Sequence, residues 1–121
     1  MRIRPERVAN AMRREVADIL ENELRDPRVS GMVSITDVEV NSDLTAARVY
    51  VSVLHDEQRD RVLQALGHAA PFIRRQLAPR LGLREVPEVR FYADTSIGRG
   101  ARIEELLRKL HDGEPIPDED A

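Results

Sequence analysis

The side chains that most often do covalent chemistry are few here, and none is spaced for it. His55, His68 and His111 are the three histidines. None stands at metal-ligand spacing from another, and no His-Glu-x-x-His run occurs. There is no cysteine, which removes thiolate zinc sites, cysteine nucleophiles and disulfides together. Asp94-Thr95-Ser96 has the residue types of a hydrolase site, but no histidine falls in a partnering pattern. Capping side chains at a strand end explain it more simply. Ser96-Ile97-Gly98-Arg99-Gly100 could offer backbone amides to a phosphate at a helix start, although two such glycines more often mark a plain turn. The reading assigns no catalytic residue, no metal and no cofactor.

Arginine is the residue type with a chemical case. Eighteen of the 19 basic residues are Arg, the exception being Lys109. Genome composition alone can produce that bias, but the planar guanidinium also suits bidentate phosphate contact. The formal charge of −3 hides a split. Residues 1–111 carry every base and 17 of the 22 acids, a net +2, whereas residues 112–121 carry five acids and no base. With Gly113, Pro115 and Pro117, that terminal stretch reads as a disordered acidic tail.

Two basic regions stand out. Arg2, Arg4, Arg7, Arg13 and Arg14 crowd the first half of a helical stretch, where the helix dipole prefers anions. Local stability does not explain that order; an external polyanion does, as would pairing with Glu6 and Glu15 on a solvated surface. Residues 59–84 hold Arg59, Arg61, Arg74, Arg75, Arg80 and Arg84 against Asp60 alone. Arg74 and Arg75 follow Ala69-Ala70-Pro71, where the apolar pattern is interrupted and a new helical start would be positive in its own right.

These arginines need a frame. The chain has 121 residues, enough for one two-layer core burying about two-thirds of the unfolded surface. No apolar run nears the ~18 residues of a membrane span. The basic Met1-Arg2-Ile3-Arg4-Pro5 leads into an amphipathic stretch, so no signal peptide is expected, and the compartment reads as cytoplasmic. With no Trp and only Tyr50, Phe72, Phe91 and Tyr92 as aromatics, stacking of bases is not expected to be the main device.

Periodicity supplies the elements. Val8, Met12, Val16, Ile19, Leu20 and Leu24 predict a helix over 5–25, started by Pro5 and stopped at Asp26-Pro27. Residues 32–41 predict a strand whose alternation slips near Thr36-Asp37, the mark of a bulge. Asn41-Ser42-Asp43 is turn chemistry, and 46–54 predict a second strand pairing antiparallel. Asp56 is a candidate cap for the next helix. Val62, Leu63 and Leu66, then Phe72, Ile73, Leu77 and Leu81, predict two helices with a kink near Ala69-Ala70. Residues 86–94 predict a third strand, parallel to the second if the helices form a crossover. Ile103, Leu106, Leu107 and Leu110 predict a short last helix. The order α-β-β-α-α-β makes an α+β domain over 1–111, with one sheet face on three helices and the other, bearing Arg48, Tyr50 and Ser52, toward solvent.

In that order a set of motifs recurs together: Arg7-Val8-Ala9 through Arg14-Glu15-Val16; Asp26-Pro27-Arg28; Ile35-Thr36-Asp37-Val38; Asp43-Leu44; Ala47-Arg48-Val49-Tyr50-Val51; Phe72-Ile73-Arg74; Pro87-Glu88-Val89-Arg90-Phe91; and Asp94-Thr95-Ser96. To about Leu110 the chain resembles the ribosome-binding factor A family. The resemblance implies a type II KH-like fold, and a non-catalytic factor that binds the small (30S) ribosomal subunit in late maturation of 16S ribosomal RNA, including its 5′-end region. It further implies a bacterial cytoplasm and a part in cold adaptation. It places Ala69-Ala70-Pro71 at the family's Ala-x-Gly kink, with proline where glycine is usual.

The leading reading is therefore phosphate contact by Arg4, Arg7, Arg13 and Arg14 on the first helix and by Arg74, Arg75 and Arg80 around the kink, with Arg28 and Arg48 as additions. Binding would read shape and backbone, by a chain that is a monomer by default and has no membrane or small-molecule partner. A protein-interaction module using the acidic tail and the exposed sheet face is the second reading. A hydrolase built on His55 or Asp94 is the least supported.

Overall fold

The structure, a computed structural model, describes residues 3–29 and 31–94. Helix α1 spans Pro5–Asp18, with a proline in its first turn and Val8, Met12 and Val16 as its buried stripe. It passes into a π-helical turn, Ile19–Glu23, in which the Leu24 amide donates to the Ile19 carbonyl at 2.8 Å. The α-helix therefore ends earlier than periodicity predicts. A π turn takes in one extra residue. Here it buries Ile19 and Leu20 side by side before Leu24 turns extended.

Strands β1 (Val33–Val40) and β2 (Ala46–Val53) pair antiparallel, and the register slips between Ile35 and Asp37. The bulge falls where the alternation changes phase, and the Thr36 hydroxyl donates to the Tyr50 carbonyl across it at 3.2 Å. The connecting turn is tied by Asn41, whose Oδ1 accepts from the Thr45 and Ala46 amides at 2.9 and 3.0 Å. It carries Leu44 at φ 62°, a left-handed conformation that costs a branched-chain residue energy. Packing of Leu44 against the edge of the core offsets that cost.

A 3₁₀ turn, Asp56–Gln58, without a side-chain cap at His55, precedes helix α2, Arg59–Leu81. Asp56 lies inside the turn and does not cap the helix. Helix α2 is continuous: the two predicted helices are one, with Pro71 and Pro79 inside it and Gly82 at φ 64° closing it. The reason is the phase of the buried residues. Val62, Leu66, Ile73 and Leu77 follow one another at whole-turn steps of four, seven and four, so one apolar stripe crosses Pro71 unbroken. Burial of that stripe outweighs the amide lost at the proline, which deprives the Gly67 carbonyl of its helical donor.

Strand β3 (Glu88–Ala93) lies parallel to β2, from Ala46↔Glu88 to Val51↔Ala93, giving the sheet order β1-β2-β3. Val38, Ala47, Val49, Val51 and Val89 on one sheet face meet Met12, Val16, Leu66, Ile73 and Leu77 from the helices in a single core. Helix α1 packs on β1, α2 on β3, and the helices touch each other. The order and pairing are those of a type II KH-like α+β fold. The predicted last helix, the Ser96–Gly100 loop and the acidic tail lie outside the described residues. Among the described residues no helix is long and apolar enough to cross a membrane.

Candidate nucleic-acid interface

Helix α2, the loop after it and strand β3 enclose an open groove of about 1110 Å³ at the end of the sheet where the Asn41–Thr45 turn lies. The middle of α2 forms one wall through Gly67, Ala70, Pro71 and Arg74, and β3 forms the other through Glu88–Phe91. Ile3 and Leu44 reach its end, which brings the start of α1 to the same place. The groove thus opens at the position assigned to the kink. Pro71 brings it no amide donor, whereas Gly67 presents backbone with no Cβ and open space beside it.

Arg74 is held at the groove wall. Its Nη2 donates to the Val86 carbonyl at 2.9 Å, which ties α2 to the loop entering β3. Its neighbour Arg75 is exposed. Arg4, at the cap position of α1, and Arg7, Arg13 and Arg14 are also exposed. The structure therefore places Arg4 and Arg74 at one end of the molecule, near the groove. Arg7, Arg13, Arg14 and Arg75 stand on the outer surface of the two helices.

Three predicted contacts lie elsewhere. Arg80 points between the helices, with Nη1 3.1 Å from Glu15 Oε2 and 2.5 Å from Asp18 Oδ2, and Nη2 3.7 Å from Glu23 Oε1. The Arg80 hydrogen bond, helped by Asn22, holds the Asp18 carboxyl below the usual carboxylate range. The guanidinium is in turn held above its ordinary value by Asp18 and Glu15. A cation ringed by three carboxylates is a cross-helix tie, and a phosphate there would have to displace them. Arg28 pairs side-on with Asp26, Nε to Oδ1 at 3.1 Å and Nη2 to Oδ2 at 2.8 Å. That pair lowers the Asp26 carboxyl and fixes the loop after the π turn. Arg48 belongs to the sheet face away from the helices, by the alternation that buries Ala47 and Val49.

Sequence reasoning left Arg84 and Arg90 out of the site, yet both line the groove. Arg84 follows the left-handed Gly82, where helical periodicity no longer says which way a side chain points. Arg90 lies between the inward Val89 and Phe91, so alternation marked it as outward but not as close to α2. Both arrive with acids: Glu85, Glu88 and Asp43 share the groove, and Arg90 pairs with Glu88 at 3.2 Å. The groove is thus mixed in charge, and the excess of cations lies on the helices beside it.

The family model for ribosome-binding factor A matches residues 4–107. The chain belongs to the ribosome-binding factor A family. It is 47% identical over 107 residues to the ribosome-binding factor A of Acetivibrio thermocellus, covering 88% of this chain and 87% of that one. The crystal structure of ribosome-binding factor A from Thermus thermophilus superposes with a TM-score of 0.66 at 24% identity, over 75% of this chain and 97% of that one. That likeness carries the fold. A Thermus thermophilus ribosome-binding factor A homology model, fitted into a cryo-EM map of a complex with 30S, matches with a TM-score of 0.59 at 26% identity, over 69% and 88% of the two chains.

Proposed function

We propose that this chain is a non-catalytic assembly factor that binds the small (30S) ribosomal subunit and assists late maturation of 16S ribosomal RNA, including its 5′-end region, in the cytoplasm and with most effect on growth in the cold. The observation that carries the reading is the run of exposed arginines on the two helices of a ribosome-binding factor A chain, beside a groove at the middle of α2. Arg4, Arg7, Arg13 and Arg14 on α1 and Arg74 and Arg75 on α2 are the phosphate contacts in this reading. They neutralise backbone charge and set the register of the factor on its RNA, which positions it without reading sequence. Six such contacts give a fall of log affinity against log salt with a slope of about −4 for unpaired RNA. The factor acts as a monomer, without cofactor or metal, and the acidic tail opposes binding weakly.

Co-sedimentation tests this. The purified protein is spun with free small subunits, free large subunits and whole ribosomes at low and moderate salt. Preferential, salt-sensitive recovery with small subunits is the expected result. Equal recovery with all three would reduce the arginines to a general polyanion patch, and no recovery at low salt would end the RNA reading.

A further inference from the structure

The sheet face turned away from the helices carries its own constellation. Tyr50 on β2 and Tyr92 on β3 are direct neighbours in the parallel register, as are Arg48 and Arg90 two residues earlier. The tyrosine rings lie 5.8 Å apart, tilted by 35°. Tyr92 is 40% exposed and lies on this side by strand alternation, and Leu54, directly after the end of β2, is 67% exposed. They are two of the three exposed large hydrophobic residues among those described. Ser34 and Ser52, paired across β1 and β2 beyond the rings, are small, and Asp37 stands opposite Tyr50 in the register.

We propose that this open face is a second RNA contact, a stacking platform for unpaired nucleotides made by Tyr50 and Tyr92 with Arg48 and Arg90 beside them. The choice of RNA rests on the function proposed above; the platform rests on its own geometry. Two residues along a strand span about 6.6 Å, so a base laid on a ring leaves its phosphate within reach of the guanidinium behind it. Stacking on an aromatic ring needs no particular base. Three acids share the face, and each has a partner: Asp37, opposite Tyr50 in the register, accepts from the Val38 amide at 2.9 Å. Glu88 engages Arg90 in a well-exposed pair, of a kind that exchanges readily for another anion. Glu39 accepts from the Tyr50 hydroxyl at 3.3 Å, which orients the ring. Burial, then the nearby Glu39, raises the Tyr50 hydroxyl above its ordinary value, so the ring stays uncharged. A protein partner would want a broad dry patch; here the apolar surface is two rings and one leucine in a field of serines and charges, which suits separate bases.

The chain provides its own reporter, because it has two tyrosines and no tryptophan, and both tyrosines are on this face. The full chain is titrated with oligouridylate of about ten nucleotides, within the span of single-strand sites, and with an RNA duplex of equal length, while tyrosine emission is followed. The expected result is saturable quenching by oligouridylate and much less by duplex. Tyr92→Leu should bind oligouridylate roughly fivefold or more weakly, and Tyr92→Phe like the parent. Circular dichroism of Tyr92→Leu should match the parent. Absent quenching, equal quenching by duplex, or unchanged affinity in a folded Tyr92→Leu would each overturn the proposal. The last would mark the face as a protein-docking surface. Quenching that persists while co-sedimentation with small subunits fails would uphold the platform and sink only the ribosomal reading.

Discussion

The inward and outward sides of α2 carry opposite lessons within a few residues. Ile73 and Leu77 are fully buried, and Arg80 just beyond them is drawn into a ring of Glu15, Asp18 and Glu23. Arg74 and Arg75, between those positions, turn outward. Composition makes the three arginines alike; helix phase makes one of them architecture and two of them available to a partner. The acids decide which. Helix α1 and the π turn after it supply three carboxylates where they cross the end of α2, and only Arg80 is in phase to meet them.

The largest expected effect lies on the inward side. Ile73→Ala removes a fully buried side chain and should cost about 2–5 kcal/mol of unfolding free energy, a large part of the whole for a domain of this size. Denaturant titration measures it. A loss below about 1 kcal/mol would mean that the stripe through Pro71 is not what keeps α2 in one piece.

The next effect belongs to the outward side. Arg74→Glu with Arg75→Glu should weaken small-subunit binding strongly and make the salt slope shallower by about 1.4, the share of two phosphate contacts. Arg75→Glu alone should alter binding and leave the melting temperature in place. Arg74→Glu should also loosen the loop held through Val86. Unchanged binding in a folded double variant removes α2 from the interface.

Arg80→Ala sharpens the contrast from the other direction, because it should alter stability and its pH dependence more than binding. Asp18, Asp26 and Asp43 all have lowered pKa values in the folded chain, the first through Arg80, the second through Arg28 and the third through Thr45. A carboxyl lowered on folding contributes stability that is complete above its unfolded value near 4 and is lost as pH falls through the folded value. The parent should therefore lose thermal stability progressively below about pH 4. Arg80→Ala should start lower and lose less over the same window, since Asp18 no longer takes part. Equal slopes in parent and variant would show that the ring does not hold the helices.

How much of this the sequence discloses follows from the same distinction. Properties set by period are legible: the stripes of α1 and α2, the three strands, and the bulge at Thr36-Asp37 announced by its change of phase. Properties set by where elements cross are not. Nothing in the spacing of Arg80 distinguishes it from Arg75 until α1 is laid against α2. Tyr50 and Tyr92 are 42 residues apart in the chain and become neighbours only through the parallel register of β2 and β3. A lone proline reads as a break by local rules, yet Pro71 stays inside one helix because burial on both sides of it keeps a common phase. Arg84 and Arg90 reach the groove through the course of a loop and the edge of a sheet, neither of which has a period to read.

The smallest effect tests the charge split between residues 1–111 and residues 112–121. Residues 112–121 carry five acids and no base, against a net +2 over residues 1–111. If arginine–phosphate contact drives binding, a tail of that sign lowers the local potential and repels the same RNA, weakly at physiological salt because charges beyond about 8 Å are screened. A chain ending at Leu110 should thus bind small subunits as well as the full chain or slightly better, and the gain should shrink as salt is raised. Co-sedimentation at two salt concentrations reads both trends. Loss of binding on truncation would instead make the acidic segment a contact in its own right. The outward arginines of α1 and α2 would then be a solvated surface, and the partner a basic protein.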